Sequence, residues 1–217
     1  MNFEFQRQQI GNSLRVLTEI FKSCAANYRI FGSILIVAHT GEVFRRIGDI
    51  GVIFDARNEH YVFEKLKKDG FVFEKKGGAG YYWFEANKDG CLGITFFLVG
   101  EFNKNYFSRR FMKIFELRVR SDYLQPTEYR FEQSTFVGIP LASAIAGIKQ
   151  SFSNPKRKLD LQILEKDVPK NQVKIYNNIS FYVAGIKLPY LFDALSFLYN
   201  IYGSIRVMFG YKYALWD

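Results

Sequence analysis

Apolar residues follow two different spacings along this chain, and the change from one to the other marks out its elements. Leu14, Leu17, Phe21, Cys24 and Ala25 recur three and four residues apart, which gathers them on one helical face. Asn12 or Ser13 can cap that helix, and it runs to residue 27. Residues 28–31 read as a short strand. Residues 33–38 contain no breaker and suit a short helix, closed by Thr40-Gly41. Residues 43–48 form a loop carrying Arg45 and Arg46. Residues 49–54 are β-branched and apolar, the signature of a buried strand. An amphipathic helix over 58–68 turns Tyr61, Val62 and Leu66 inward and stops at Asp69-Gly70.

Beyond residue 70 the period shortens. Segments 71–75, 81–86 and 92–99 are rich in aromatic and β-branched residues and are separated by Lys76-Gly77-Gly78-Ala79-Gly80 and Asn87-Lys88-Asp89-Gly90. Turn residues between β-rich runs predict antiparallel hairpins. Residues 113–120 and 136–139 are further strands, the second leading into a helix over 141–151. Asn154-Pro155 opens a helix to residue 166, because proline suits the first helical turn. Segments 173–176 and 179–183 read as strands, followed by a helix near 191–202. Lys166 to Asn171, polar and containing Pro169, is the best place for a boundary. The expected organisation is a domain over 1–166 and a C-terminal extension, 167–217, packed on it.

Composition narrows the class. With 217 residues, 48% of them hydrophobic, the chain can bury one substantial core. Thirty Lys and Arg against 21 Asp and Glu give a formal charge of +9, which favours phosphate-bearing or otherwise acidic partners, nucleic acid among them. Cys24 and Cys91 stand apart from each other and from His39 and His60, so neither a zinc site nor a hydrolase triad is indicated. Two lone cysteines and an N-terminus without a secretory pattern point to the cytoplasm. The longest apolar stretch, 188–213, is interrupted by Asp193, Asn200, Arg206 and Lys212, which argues against a spanning helix.

The candidate chemistry lies in residues 28–55. Gly32-Ser33 stands where a strand meets a helix, and Gly48-Asp49-Ile50-Gly51 opens the next strand. This layout resembles the core of the nucleotidyltransferase superfamily, the polymerase-β-like fold. The resemblance implies an α/β (α+β) domain with a mixed, largely antiparallel sheet and helices packed on it. It implies that Gly32 and Ser33, with the N–H groups of Ile34 and Leu35, face triphosphate oxygens, and that Arg45 helps. It also implies two acids at alternate positions of the next strand and a third on a neighbouring strand, sharing Mg²⁺. Alternation along a strand puts such acids on one face, where hard cations find their oxygen ligands. Asp49 stands at the first acid position, Gly51 at the second, and Gly93, or in its place Thr95, at the third. Glycine weakens a strand interior, so two glycines there suggest vacated acid positions. A chain that kept the fold and lost catalysis would look like this, and so would one whose acids were deliberately removed.

The likeness continues through Phe136-Val137-Gly138-Ile139-Pro140, Lys149, and Asn154-Pro155-Lys156-Arg157-Lys158-Leu159-Asp160-Leu161, which resembles the closing element of small nucleotidyltransferases and implies that Lys149 and Lys158 contact nucleotide. A plain structural alternative pairs Asp160 with Lys156 or Arg157 within one helical turn. The expectation is a protein that binds a nucleoside triphosphate and transfers, or ancestrally transferred, a nucleoside monophosphate to an unknown acceptor, with Mg²⁺ as cofactor if active. The competing reading is a non-catalytic nucleic-acid-binding or scaffold protein. A second acid near Asp49, Asp55 or Glu85 for example, would favour the enzyme; a cleft filled by Gly, Thr and apolar side chains would favour the scaffold.

Overall fold

The computed structural model describes residues 3–78, 81–102, 106–111, 113–150, 154–173 and 179–211. Helix α1 (Phe3–Cys24) begins nine residues before the expected cap. Its buried stripe extends backward through Ile10 to Gln6, and the polar Gln6 disguised the pattern. The Gln6 amide is held inside by donating to the Ile47 carbonyl (2.9 Å) and accepting from the Ile47 N–H (3.1 Å), which removes the cost of burying it. Ala25 leaves the helix with φ +48° and is exposed rather than on the apolar face.

Strands β1 (Tyr28–Phe31) and β2 (Asp49–Asp55) flank helix α2 (Ile34–Thr40), and helix α3 (Glu59–Lys68) follows a single 3₁₀ turn. Tyr61, expected inward, is exposed. The helix starts at Glu59, and its buried positions are Val62, Phe63 and Leu66. Strands β3 (Val72–Gly78), β4 (Tyr81–Asn87) and β5 (Gly93–Val99) form the predicted antiparallel hairpins. Strands β6 (Glu101–Phe102), β7 (Tyr106–Phe111) and β8 (Phe115–Arg120) precede β9 (Thr127–Phe131) and β10 (Ser134–Gly138). Helices α4 (Leu141–Gln150) and α5 (Pro155–Leu164), strands β11 (Ile179–Val183) and β12 (Ile186–Leu188), and helix α6 (Leu191–Met208) follow among the described residues. Of the strand expected over 173–176, residues 174–176 lie outside the described ones, and Val173 is in no strand.

Seven strands make the main sheet, in the order β3-β4-β5-β2-β1-β10-β9. The β5–β2 and β1–β10 pairs are parallel and the others antiparallel, so the fold is α+β with a mixed, largely antiparallel sheet. One face is core. Ile50, Val52 and Phe54 of β2 and Ile94, Phe96 and Leu98 of β5 are all buried. Phe54 meets Phe21, Phe63 and Phe96 edge-on, with ring centroids 5.5–5.9 Å apart. Burying each such ring contributes about 1.5–3 kcal/mol. A second, antiparallel sheet has the order β12-β11-β8-β7-β6, so strands from both sides of the boundary expected near residue 170 share one sheet.

Candidate functional site

The register of β1, β2, β4 and β5 determines what lies on the sheet face opposite the core. Asp49 pairs with Gly93, and Gly51 with Thr95. Phe31 of β1 pairs with Gly51, and Glu85 of β4 with Thr95. Directly paired residues point to the same side, so Asp49, Gly51, Gly93, Thr95, Glu85 and Phe31 share this face. Asp49 is exposed at the start of β2 and accepts a hydrogen bond from the Thr95 hydroxyl. Glu85 accepts from the Trp83 indole N–H at 3.0 Å. Asp55, the other acid considered beside Asp49, sits at the far end of β2, where it is buried and accepts from Arg57.

Apolar side chains fill the space between these groups. A Cβ placed on Gly51 would lie 2.7–2.9 Å from three atoms of the Phe31 ring, and that ring lies 5.6 Å from Phe97, centroid to centroid. A Cβ on Gly93 would approach Asn87 Oδ1 at 2.9 Å, a flexible amide end. Among the described residues there is no group of three or more His, Cys, Asp or Glu side chains that could hold a metal ion. The sequence flagged Gly51 but gave no sign that Phe31 covers it, because that contact depends on strand register.

The second half of the site is the mouth of α2. Gly32 turns the chain at φ +91°, a region open to glycine and strained for other residues. Ser33 precedes a seven-residue helix whose first four positions, Ile34 to Val37, are all buried. The Leu35 N–H, expected to face phosphate, donates instead to the Gly32 carbonyl at 3.2 Å. Ser33 Oγ donates to Asp160 Oδ2 at 3.0 Å across 127 residues of sequence. Arg45 grips the same carboxylate with Nε and Nη2, both at 2.7 Å, and its Nη2 also reaches Ser33 Oγ. Arg157 Nη1 approaches Ser33 Oγ at 3.3 Å and Asp160 Oδ2 at 3.4 Å. Asp160 is fully buried, and its four donors offset the desolvation of its charge.

Two guanidinium groups against one carboxylate leave this cluster with a net positive charge. Of the two, Arg157 is the more accessible, its side chain 34% exposed against 15% for Arg45. Arg157 and Asp160 are three residues apart and share a helix face. Lys158, the residue expected to reach nucleotide, is exposed and leaves α5 on the other side. Lys149 is ion-paired with Glu165 at 2.7 Å, just past the C-terminal end of α5. Gly32, Ser33 and Arg45 are thus brought together with Arg157 and Asp160, and Lys149 and Lys158 face elsewhere. A cavity of about 460 Å³ lined by Tyr82, Leu98, Ser108 and Arg109, among others, shares none of these residues. The converging polar groups, rather than that hollow, mark the candidate site.

No protein-family model matches the chain, and no curated protein does. Solved structures do. The lincosamide antibiotic adenylyltransferase LnuA, with lincomycin bound, superposes with a TM-score of 0.60 at 15% identity, over 72% of this chain and 97% of that one. The antibiotic-resistance factor ANT(2'')-Ia matches in its solution structure (TM-score 0.55, 11% identity, 75% and 88% covered). It matches again in its crystal complex with adenylyl-2''-tobramycin (TM-score 0.54, 10% identity, 75% and 92%). At such identities the likeness speaks for architecture alone: the chain has the nucleotidyltransferase fold.

Proposed function

We propose that this chain binds a nucleoside triphosphate at the mouth of α2 and has little or no capacity for nucleotidyl transfer, the fold having outlasted the metal-dependent chemistry. The Phe31 ring against Gly51 carries this reading. It occupies the space a side chain would need at the second acid position. Gly93 and Thr95 stand at the third, and Thr95 supplies a hydroxyl that donates to Asp49. Hard divalent cations need several oxygen ligands. Asp49 and Glu85 share this face, but Glu85 already accepts from the Trp83 indole, and among the described residues no third acid joins them. With two glycines and a phenyl ring at the remaining positions, the face does not fit a pair of Mg²⁺ ions. No transfer step is assigned to the site.

Binding rests on the other half. Ser33, Arg45 and Arg157 converge beside the Gly32 turn, and Asp160 fixes Arg45 in place. Arg157, the more exposed of the two guanidinium groups, has the access to meet phosphate, and the planar guanidinium fork suits phosphate oxygens. Among the structural neighbours, LnuA is an adenylyltransferase with lincomycin bound and ANT(2'')-Ia is in complex with adenylyl-2''-tobramycin, which supports an adenine nucleotide and, ancestrally, a small-molecule acceptor. The test is titration with ATP, with and without Mg²⁺, followed over time for pyrophosphate. Expected are saturable binding, at least tenfold weaker in Arg157→Ala, and no pyrophosphate above background. Robust release of pyrophosphate that Asp49→Ala abolishes would refute the lapse of transfer.

A second reading has its own observation. A cleft filled by Gly51, Gly93, Thr95, Phe31 and Phe97 is what a non-catalytic scaffold would keep. Absence of triphosphate binding in a folded protein would select that reading over ours.

A further inference from the structure

Helix α6 is amphipathic the wrong way round for a chain on its own. Asn200 and Gly203 are buried, and Asp193 and Ser196 are partly covered. These residues lie three and four positions apart and form the stripe turned toward the rest of the protein, with the Asn200 amide donating to the Ser196 carbonyl at 2.7 Å. The opposite side is apolar and exposed. Leu195, Leu198, Tyr202, Ile205 and Phe209 are between 47% and 74% exposed, and Met208 beside them is 83% exposed. Their numbers step by three, four, three and four. That is the seam by which one helix packs against another, knob into hole.

We propose that this seam is the contact surface of a homodimer, α6 against α6 of a second copy. Three observations favour a second copy over other occupants. First, a seam of alternating three- and four-residue steps fits a helix, and a two-fold pair supplies an identical one. Second, at roughly 200 Å² for a large side chain, the exposed fractions of these six residues amount to on the order of 700 Å² per chain, close to the ~800 Å² per partner of a standard interface. A lone patch of that size exceeds what soluble monomers usually expose. Third, none of the six seam residues is itself charged, and the basic side chain beside them, Arg206, is engaged with one of them, lying over the Tyr202 ring at 5.6 Å and donating to its hydroxyl at 3.2 Å. A membrane surface fits less well. A helix lying on lipid presents a Lys- and Arg-rich face opposite its apolar one, and in α6 the opposite face holds Asp193, Ser196 and Asn200 and is turned into the protein.

The test is sedimentation of the full chain across a concentration series, beside Leu198→Glu and Ile205→Glu. The parent is expected to sediment as a dimer at micromolar concentration. Each variant should be monomeric and keep the far-ultraviolet circular dichroism of the parent. A second measurement covers the case in which the glutamates unfold the chain. Tyr202 lies at the middle of the seam, so in a two-fold pair it meets its own copy. In a Cys24→Ser, Cys91→Ser background, Tyr202→Cys should therefore cross-link into covalent dimers on mild oxidation, and Lys187→Cys on β12 should not. A parent that stays monomeric to 100 µM, absent cross-linking at Tyr202→Cys, or association with neutral phosphatidylcholine vesicles in place of dimer would each overturn the proposal.

Discussion

Removing the Asp160 carboxylate offers the sharpest view of how the α2 mouth is held. The carboxylate is inaccessible to water and accepts from Ser33 Oγ at 3.0 Å, from Arg45 Nε and Nη2 at 2.7 Å each, and more distantly from Arg157 at 3.4 Å. Asp160→Ala leaves Arg45, only 15% exposed at its side chain, without its counter-charge. Breaking a buried pair by removing one partner costs about 3–5 kcal/mol, because the surviving charge stays desolvated. Arg157 adds little, since exposed pairs are worth roughly 0–1 kcal/mol. At about 2–4 °C per kcal/mol for a chain of this size, the melting temperature should fall by roughly 6–20 °C. Thermal denaturation followed by circular dichroism measures this. Arg45→Met in the same chain should recover part of the loss, since it removes the stranded charge, with a coupling of about 0.5–3 kcal/mol in the double-mutant cycle. A fall of less than 2 °C for Asp160→Ala, or strict additivity with Arg45→Met, would refute the cluster as described.

Two further predictions concern pH. Asp55 is buried, which by itself raises its carboxyl pKa, but the Arg57 side chain and N–H outweigh that and hold it below the usual carboxylate range. A carboxyl depressed in the folded state stabilises above its unfolded pKa of about 4 and loses that contribution as pH falls through the folded value. Asp55→Asn should therefore flatten the acid limb of a stability–pH curve, and an unchanged limb would contradict this. Tyr129 is buried, which pushes its hydroxyl up to about 12, and it donates to the Ile139 carbonyl at 2.7 Å. Its pKa is raised, so its contribution is complete below the unfolded value of about 10 and is lost as pH rises toward the folded one. Tyr129→Phe should be less sensitive between those pH values in urea titrations, and equal sensitivity would count against it.

Much of the main sheet can be read from the residues alone. The apolar run of β2, the aromatic hairpins β3–β4–β5 and the Asn154-Pro155 start of α5 each obey a local rule, and each forms. The capped end of α2 is equally local, the Gly41 N–H donating to the Val37 carbonyl at 2.9 Å with φ at +74°. Where reading failed, the deciding contact is distant in sequence. Gln6 looks like solvent-facing helix until Ile47 is seen to satisfy it. Strand β7 carries Ser108, Arg109 and Arg110 in place of an apolar alternation, and its antiparallel neighbours β6 and β8 rather than its composition define it. In β9, Tyr129 and Phe131 alternate with Glu128 and Arg130, a period of two that is local and legible in the residues. The site divides the same way. Gly32, Ser33, Arg45, Asp49 and the two glycines stand out in sequence, and Asp160 in a motif. That Arg157 rather than Lys158 faces Ser33, and that Phe31 covers Gly51, follow only from helix phase and strand register.

The central claim is that Gly51 and Gly93 are vacated acid positions and that Phe31 occupies the gap. It is tested most directly by the melting temperature of Phe31→Ala/Gly51→Asp/Gly93→Asp, measured against rising Mg²⁺ or Mn²⁺ beside the parent. Opening the ring's space removes the 2.7 Å contact that a side chain at 51 would meet, and the two new aspartates then join Asp49, with Glu85 on the neighbouring strand, on one sheet face. Without metal the triple variant should melt below the parent, because clustered like charges repel. With metal it should rise in a concentration-dependent way while the parent stays level, since a ligand that binds only the folded state stabilises it. A folded triple variant indifferent to metal, or a parent that responds as strongly, would contradict the account.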